Sequence, residues 1–185
     1  EQKQKYLPKI AAGEIYTAYS LTEPGAGSDA ANVQATAVKE NGAYRLNGQK
    51  VFCTNGEVAK LIIVMARTDP SAGSRGISAF LVEPDFKGFN LGKRERKMGM
   101  NSSDTMELFF QDMEVPAENL LGEEGRGFKI ALDALDDSRI GIAAQAVGIA
   151  QGALEETVKF TSEREQFRHK IGSFELVYNT CLLYT

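Results

Sequence analysis

The 185 residues include one histidine and two cysteines and show no basic excess, and each scarcity narrows the chemistry open to the chain. His169, between Arg168 and Lys170, has no second imidazole to work with, which argues against a histidine triad or a zinc set, and no metal ligand is assigned. Cys53 and Cys181 supply no disulfide framework and fit the reduced pattern of an intracellular protein. Lys and Arg number 21 against 25 Asp and Glu, a net charge of -4, which argues against a general nucleic-acid binder. The longest uncharged run, Ile140 to Leu154, is broken by Gln145, Gln151 and glycines and is too short and polar to span a bilayer. A charged fraction of 25% is that of an ordinary soluble globular chain, and the length allows one large domain or one domain plus part of another. There is neither an initiator Met nor a basic-then-apolar leader, and Glu1 opens inside a helix-like phrase. The chain is expected to be a piece of a longer one.

What is present falls into two periods. From Ala18 to about Val115, short apolar runs are bounded by Gly, Asn, Asp and Pro, as strands are. Tyr16 to Leu21, Val33 to Val38, Leu61 to Ala66, Ile77 to Val82 and Met106 to Phe110 are candidate strands, with turns expected at Asn41-Gly42, Asn47-Gly48 and Asn55-Gly56. This part is expected to be an antiparallel barrel or sandwich. After Pro116 the apolar residues recur at helical spacing: Phe128, Ala131, Leu132 and Leu135, then Ile142, Ala146, Ile149, Ala150 and Ala153. Asp136, Asp137 and Ser138 read as caps between two helices, the second running to about Arg164. Its Ala- and Gly-rich face needs helical partners. Glu1 to Ala12 reads as the end of another helix. The fold class is α+β, with a complete β-barrel-like middle domain at 15–122 between an N-terminal helical piece at 1–14 and the start of a C-terminal helical domain at 123–185.

Several motifs carry chemistry beside an ordinary structural reading. In Thr22 to Asp29 (TEPGAGSD), Gly25, Gly27 and Ala30 satisfy the dinucleotide fingerprint literally, but a period-two segment follows where that site requires a helix. A loop whose N–H groups and Thr22 or Ser28 hydroxyls approach a flat or phosphorylated ligand remains open, as does a plain Gly/Pro turn. Phe52 and Thr54 share a strand face that could stack on and hydrogen-bond a heterocycle, or could be a half-buried pair before a turn, with Cys53 a small buried residue. Lys93 to Lys97 reads as a solvated loop, and Asp136 to Arg139 as helix-capping carboxylates with a solvated Arg.

In order, these blocks resemble the acyl-CoA dehydrogenase family of flavoproteins, most closely its short-chain, butyryl-CoA-dehydrogenase-like members. The blocks are Tyr19 to Asp29 (YSLTEPGAGSD), Leu46 to Lys50 (LNGQK), Phe52 to Gly56 (FCTNG), Lys97 to Gly99 (KMG), Val115 to Gly122 (VPAENLLG), Gly127-Phe128, Arg139 to Ala143 (RIGIA) and Arg164 to Phe167 (REQF). The resemblance implies a helical, β-barrel-like, helical protein, a homotetramer, with FAD against Tyr19, Leu21, Thr22, Gly27 and Ser28. It implies that Phe52 covers one flavin face beside Cys53, that Thr54 bonds the flavin nitrogen that receives hydride, and that Arg164 and Phe167 hold FAD of a neighbouring subunit. Ser28, Asp136 and Arg139 are implied to contact the acyl-CoA. The implied reaction is α,β-dehydrogenation of an acyl-CoA, with electrons passed to an electron-transferring flavoprotein. An acyl-CoA oxidase or a non-catalytic flavin- or acyl-CoA-binding piece is the alternative. The implied compartment is the bacterial cytoplasm or, in a eukaryote, the mitochondrial matrix. The family's base is a glutamate late in the C-terminal helical domain or just before the Arg matched by Arg139. Ser138 stands at the second position and the first lies outside these residues, so the 185 residues alone are expected to be inactive. Arg168 stands where the family usually has Gly, and Glu175 where it has Gln. Cys181 to Thr185 is what the sequencing-adapter sequence TGT-CTC-TTA-TAC-ACA encodes in frame, so this tail is expected to be artefactual.

Overall fold

The computed structural model describes residues 1–182, in two units, Glu1–Asp133 and Ala134–Thr185. In the first, α1 (Gln2–Ala11) buries Tyr6 against Leu61 and Leu81. The Tyr6 hydroxyl and Lys5 ammonium both donate to Glu83 at 2.6 Å.

Eight strands follow: β1 (Tyr16–Ser20), β2 (Thr36–Glu40), β3 (Ala43–Thr54), β4 (Ala59–Arg67), β5 (Ile77–Val82), β6 (Phe89–Arg94), β7 (Thr105–Pro116) and β8 (Leu120–Leu121). Their order is β6-β7-β3-β2-β4-β5-β8, with β1 pairing β4 in parallel. The sheet is open, and no closed barrel is seen among the described residues. Its end strands are poor partners: β8 has two residues, and β6 presents exposed Lys93 and Arg94, charges that blunt a sheet edge. Tyr44, Leu46, Ile62, Val64, Phe80, Leu108 and Met113 fill the core, Tyr44 meeting Phe80 edge-on at 4.9 Å. Each such side chain contributes roughly 1.5–3 kcal/mol by leaving water.

The Asn41-Gly42 turn forms as expected: both residues have positive φ (50° and 83°), and Glu40 pairs Ala43 across it. Asn47-Gly48 makes no turn. It is a bulge within the unbroken β3, where Gly48 (φ 148°) lies so close to Ala35 that a Cβ would come within 2.6 Å of the Ala35 Cβ. Val33 and Ala35 are buried yet outside any strand: the Glu23 carboxylate accepts the Ala35 N–H and Arg67 Nε donates to the Val33 carbonyl, while the Arg67 N–H at the end of β4 meets the Ala35 carbonyl. After the glycine-rich loop comes a short 3₁₀ turn, Ala30–Asn32, and not the helix a dinucleotide site needs.

The helix α2 (Gly127–Glu163) is continuous over 37 residues. Its first turn packs on β5, where a Cβ on Gly127 would come within 2.3 Å of the Ser78 backbone. No break occurs at Asp136-Asp137-Ser138. Ser138 bonds back to the Leu135 carbonyl at 2.8 Å and Asp136 pairs with Arg139, so Ser138 and Asp136 are satisfied on the helix surface instead of capping an end. In the second unit, Ile140, Ile142, Val147 and Ile149 are exposed in this chain. The short strands β9 (Glu165–Gln166) and β10 (His169–Lys170) make a hairpin, followed by α3 (Glu175–Leu182). Of the tail expected to be artefactual, residues 183–185 lie outside the described residues.

Candidate functional site

In the first unit, the end of β1 and the loop after it run along the C-terminal half of β3. Hydrogen bonds join them, among them Val51 N–H to the Thr22 carbonyl (3.0 Å), Lys50 Nζ to the Leu21 carbonyl (2.9 Å), Cys53 Sγ to the Tyr19 carbonyl (3.7 Å) and Asn55 Nδ2 to the Thr17 carbonyl (3.3 Å). The two segments singled out from the sequence are thus brought together.

Their side chains divide by face. The register of β3 against β7 shifts between Lys50 and Cys53, and Phe52 sits at φ 57° in that bulge. Lys50, Val51 and Cys53 point inward, while Phe52 (63% exposed) and Thr54 point out, as expected of a same-face pair. Burial raises the Cys53 thiol to about 11, so it is an inert core residue. Thr22 is half-buried, and Gly27 and Ser28 are exposed. The hydroxyls of Thr22, Ser28 and Thr54 have no protein partner among the described residues. Two further hydroxyls on β1, Tyr19 and Ser20, are buried and unpartnered there, and burial raises the Tyr19 phenol to about 12.

Beneath the loop lies an ion pair not anticipated from the sequence. Lys50 Nζ donates to Glu23 Oε1 at 2.8 Å, with side chains 0% and 4% exposed. Glu23 also accepts the Gln34 N–H (2.5 Å) and the Ala35 N–H (3.0 Å). Burial pushes the Lys50 ammonium below its ordinary range, opposed by the Glu23 charge. The clue in the sequence was a Lys inside a strand, but nothing local says that a carboxylate faces it.

In the second unit, Asp136 and Arg139 sit one turn apart on α2 and pair at 3.3 Å, both mostly exposed. Ser138 offers no carboxylate beside Arg139. Arg164 follows the helix end, and its carbonyl accepts the Ile171 N–H at 2.9 Å. Phe167 and Arg168 form the β9–β10 turn with φ of 52° and 64°. The Phe167 ring is 86% exposed and meets Phe174 edge-on at 6.3 Å. The described residues contain no cluster of His, Cys, Asp and Glu able to hold a metal ion.

An exposed aromatic ring with two unpartnered hydroxyls, on a strand and the loop seated along it, suits one face and edge of a flat heterocycle rich in hydrogen-bonding groups. That donor set fits a flavin. Comparison with known proteins points the same way. Residues 18–113 match the model of the acyl-CoA dehydrogenase middle domain, and residues 125–182 that of its C-terminal domain. A short-chain specific acyl-CoA dehydrogenase of Clostridium acetobutylicum is 52% identical over 175 residues, 95% of this chain and 46% of that protein. The structure of butyryl-CoA dehydrogenase from Megasphaera elsdenii superposes with a TM-score of 0.93 at 48% identity, over 99% of this chain and 48% of that one. A chain solved in work on the electron transferring flavoprotein of Acidaminococcus fermentans gives 0.93 at 54%, over 98% of this chain and 48% of that one. The chain spans about half the length of these relatives, and by its matched domains it belongs to the acyl-CoA dehydrogenase family of FAD-dependent oxidoreductases.

Proposed function

We propose that this chain is part of an enzyme that oxidises an acyl-CoA thioester to its trans-2-enoyl-CoA, a homotetramer in the bacterial cytoplasm or mitochondrial matrix that passes electrons to an electron-transferring flavoprotein. The observation that carries the reading is the seating of Tyr19–Thr22 along Lys50–Asn55, which gathers Thr22, Phe52 and Thr54. Held against these residues, FAD would supply the hydride acceptor for the reaction. The chain's own residues bind and orient. Thr22 and Thr54 offer hydroxyl donors to the ring edge, the Phe52 ring shields one face from water, and Ser28 contacts the acyl-CoA. Asp136 and Arg139 contact its pantetheine and nucleotide part. Arg164 and Phe167 supply a cation and an aromatic surface for the pyrophosphate and adenine of a neighbouring subunit's FAD. Holding the reacting atoms in line is the large term that such residues contribute. Removal of the α-proton needs a carboxylate, and position 138 is a serine.

The test is therefore cofactor uptake, not turnover. The purified full-length protein of which this chain is part, mixed with FAD and desalted, is expected to keep a flavin absorption spectrum, weakened in a Thr22→Ala/Thr54→Ala variant. A colourless wild-type protein after that treatment would overturn the reading.

A further inference from the structure

Thr22 is bracketed by one buried ion pair. Lys50 Nζ holds the carbonyl of the residue before it, Leu21, at 2.9 Å and the carboxylate of the residue after it, Glu23, at 2.8 Å. The other contacts of that carboxylate, the N–H groups of Gln34 and Ala35, lie where the chain leaves the glycine-rich loop. The Glu23 backbone bonds Ala26 in both directions, at 3.0 and 3.1 Å. From the far side, Arg67 donates to the carbonyls of Ala31 (2.9 Å) and Val33 (3.1 Å). The loop is thus tied at its start, across its tip and at its exit, and two of these ties run through one ammonium–carboxylate contact.

A buried ion pair is weak evidence for stability, because well-packed apolar side chains of similar volume do as well or better. What apolar side chains cannot do is fix a carbonyl and two N–H groups at set positions. Lys50 also belongs to the strand that carries Phe52 and Thr54, inward where they point outward. One side chain therefore references the loop to the strand facing it.

Resting on the flavin reading above, we propose that Lys50 and Glu23 are positioning residues, whose contact sets the backbone at Thr22 relative to Phe52 and Thr54 so that the flavin ring meets contacts already in place. Such preorganisation acts on affinity and on the electronic surroundings of the ring, not chiefly on fold stability.

Lys50→Met alone strands a buried carboxylate and can prevent folding, so the deciding variant is Lys50→Met/Glu23→Gln. It removes both charges at near-constant volume and leaves an acceptor for one of the two N–H groups. Wild type and double variant are compared by thermal midpoint, by FAD titration with the bound flavin's absorption spectrum, and by amide exchange at Val51 and Ala35 without FAD. The expected result is a midpoint near wild type, FAD binding weaker on the order of tenfold, a displaced flavin band and faster exchange at both amides. Unchanged FAD affinity, spectrum and exchange would overturn the proposal while leaving the flavin reading intact, as would a lowered midpoint with an unchanged flavin spectrum. A wild-type protein that takes up no FAD would overturn the flavin reading, and the proposal with it.

Discussion

The Val51 N–H meets the Thr22 carbonyl at 3.0 Å, at a bulge that carries the next residue, Phe52, to φ 57°. Without the bulge, the two-residue alternation of a strand would put Lys50, Phe52 and Thr54 on one face. With it, Lys50 goes into the core and the other two go outward. The strain at Phe52 and the exposure of its ring arise from one local feature.

Phe52→Gly is therefore expected to stabilise the fold by about 1 kcal/mol, since a non-glycine residue in the left-handed region costs roughly 1–2 kcal/mol. It should at the same time weaken FAD binding, and Thr54→Ala should weaken it about fivefold with stability nearly unchanged. Urea midpoints and FAD titrations check both; a Phe52→Gly protein of lower stability would contradict the strain argument.

Gly48 and Gly127 are close-approach positions. Gly48→Ala drives a methyl group into Ala35, and Gly127→Ala drives one into the backbone of β5. Each is expected to cost about 1–3 kcal/mol or more, read as a lowered denaturant midpoint at constant slope.

Arg168 occupies the second left-handed position of the β9–β10 turn, where the resemblance leads one to expect Gly. Arg168→Gly should firm up this hairpin by about 1 kcal/mol, measured as slower amide exchange at Ile171, whose N–H bonds Arg164 across its base.

Arg139 and Asp136 are 75% and 74% exposed, so their pairing adds little to stability. Arg139→Ala should leave the thermal midpoint within a degree or two and weaken acyl-CoA binding by calorimetry. A large fall in midpoint with unchanged affinity would assign Arg139 to structure.

Alkaline pH should destabilise the first unit. Burial raises the phenols of Tyr19 and Tyr44 to about 12, the latter helped by its hydrogen bond to Glu124, against an ordinary value near 10. Between these values the unfolded chain has released protons that the folded chain still holds. The contribution of these two tyrosines to stability is then full below about pH 10 and falls as pH rises toward 12. Urea midpoints across that range should decline, and Tyr44→Phe should flatten the decline.

Much of this was legible in the residues. The I′ turn at Asn41-Gly42, the buried strands at Leu61 to Ala66 and Ile77 to Val82, and the shared face of Phe52 and Thr54 follow from local preference and period, which need no knowledge of distant contacts. The Asn47-Gly48 dipeptide misled because its glycine answers to Ala35, a residue remote in sequence. The acidic stretch at Asp136 misled because capping residues stay in a helix when its surface satisfies them. Edge strand β6, largely exposed, showed no clean alternation.

By itself, then, the sequence determined the α+β class, the family motifs and the shared face of Phe52 and Thr54, all written in short-range pattern. Only the tertiary structure decided that the sheet stays open, that β3 bulges so as to turn Lys50 inward, and that Glu23 waits there to meet it. Those outcomes depend on which backbone groups remain unpaired once distant segments pack, and no local window of residues contains that information.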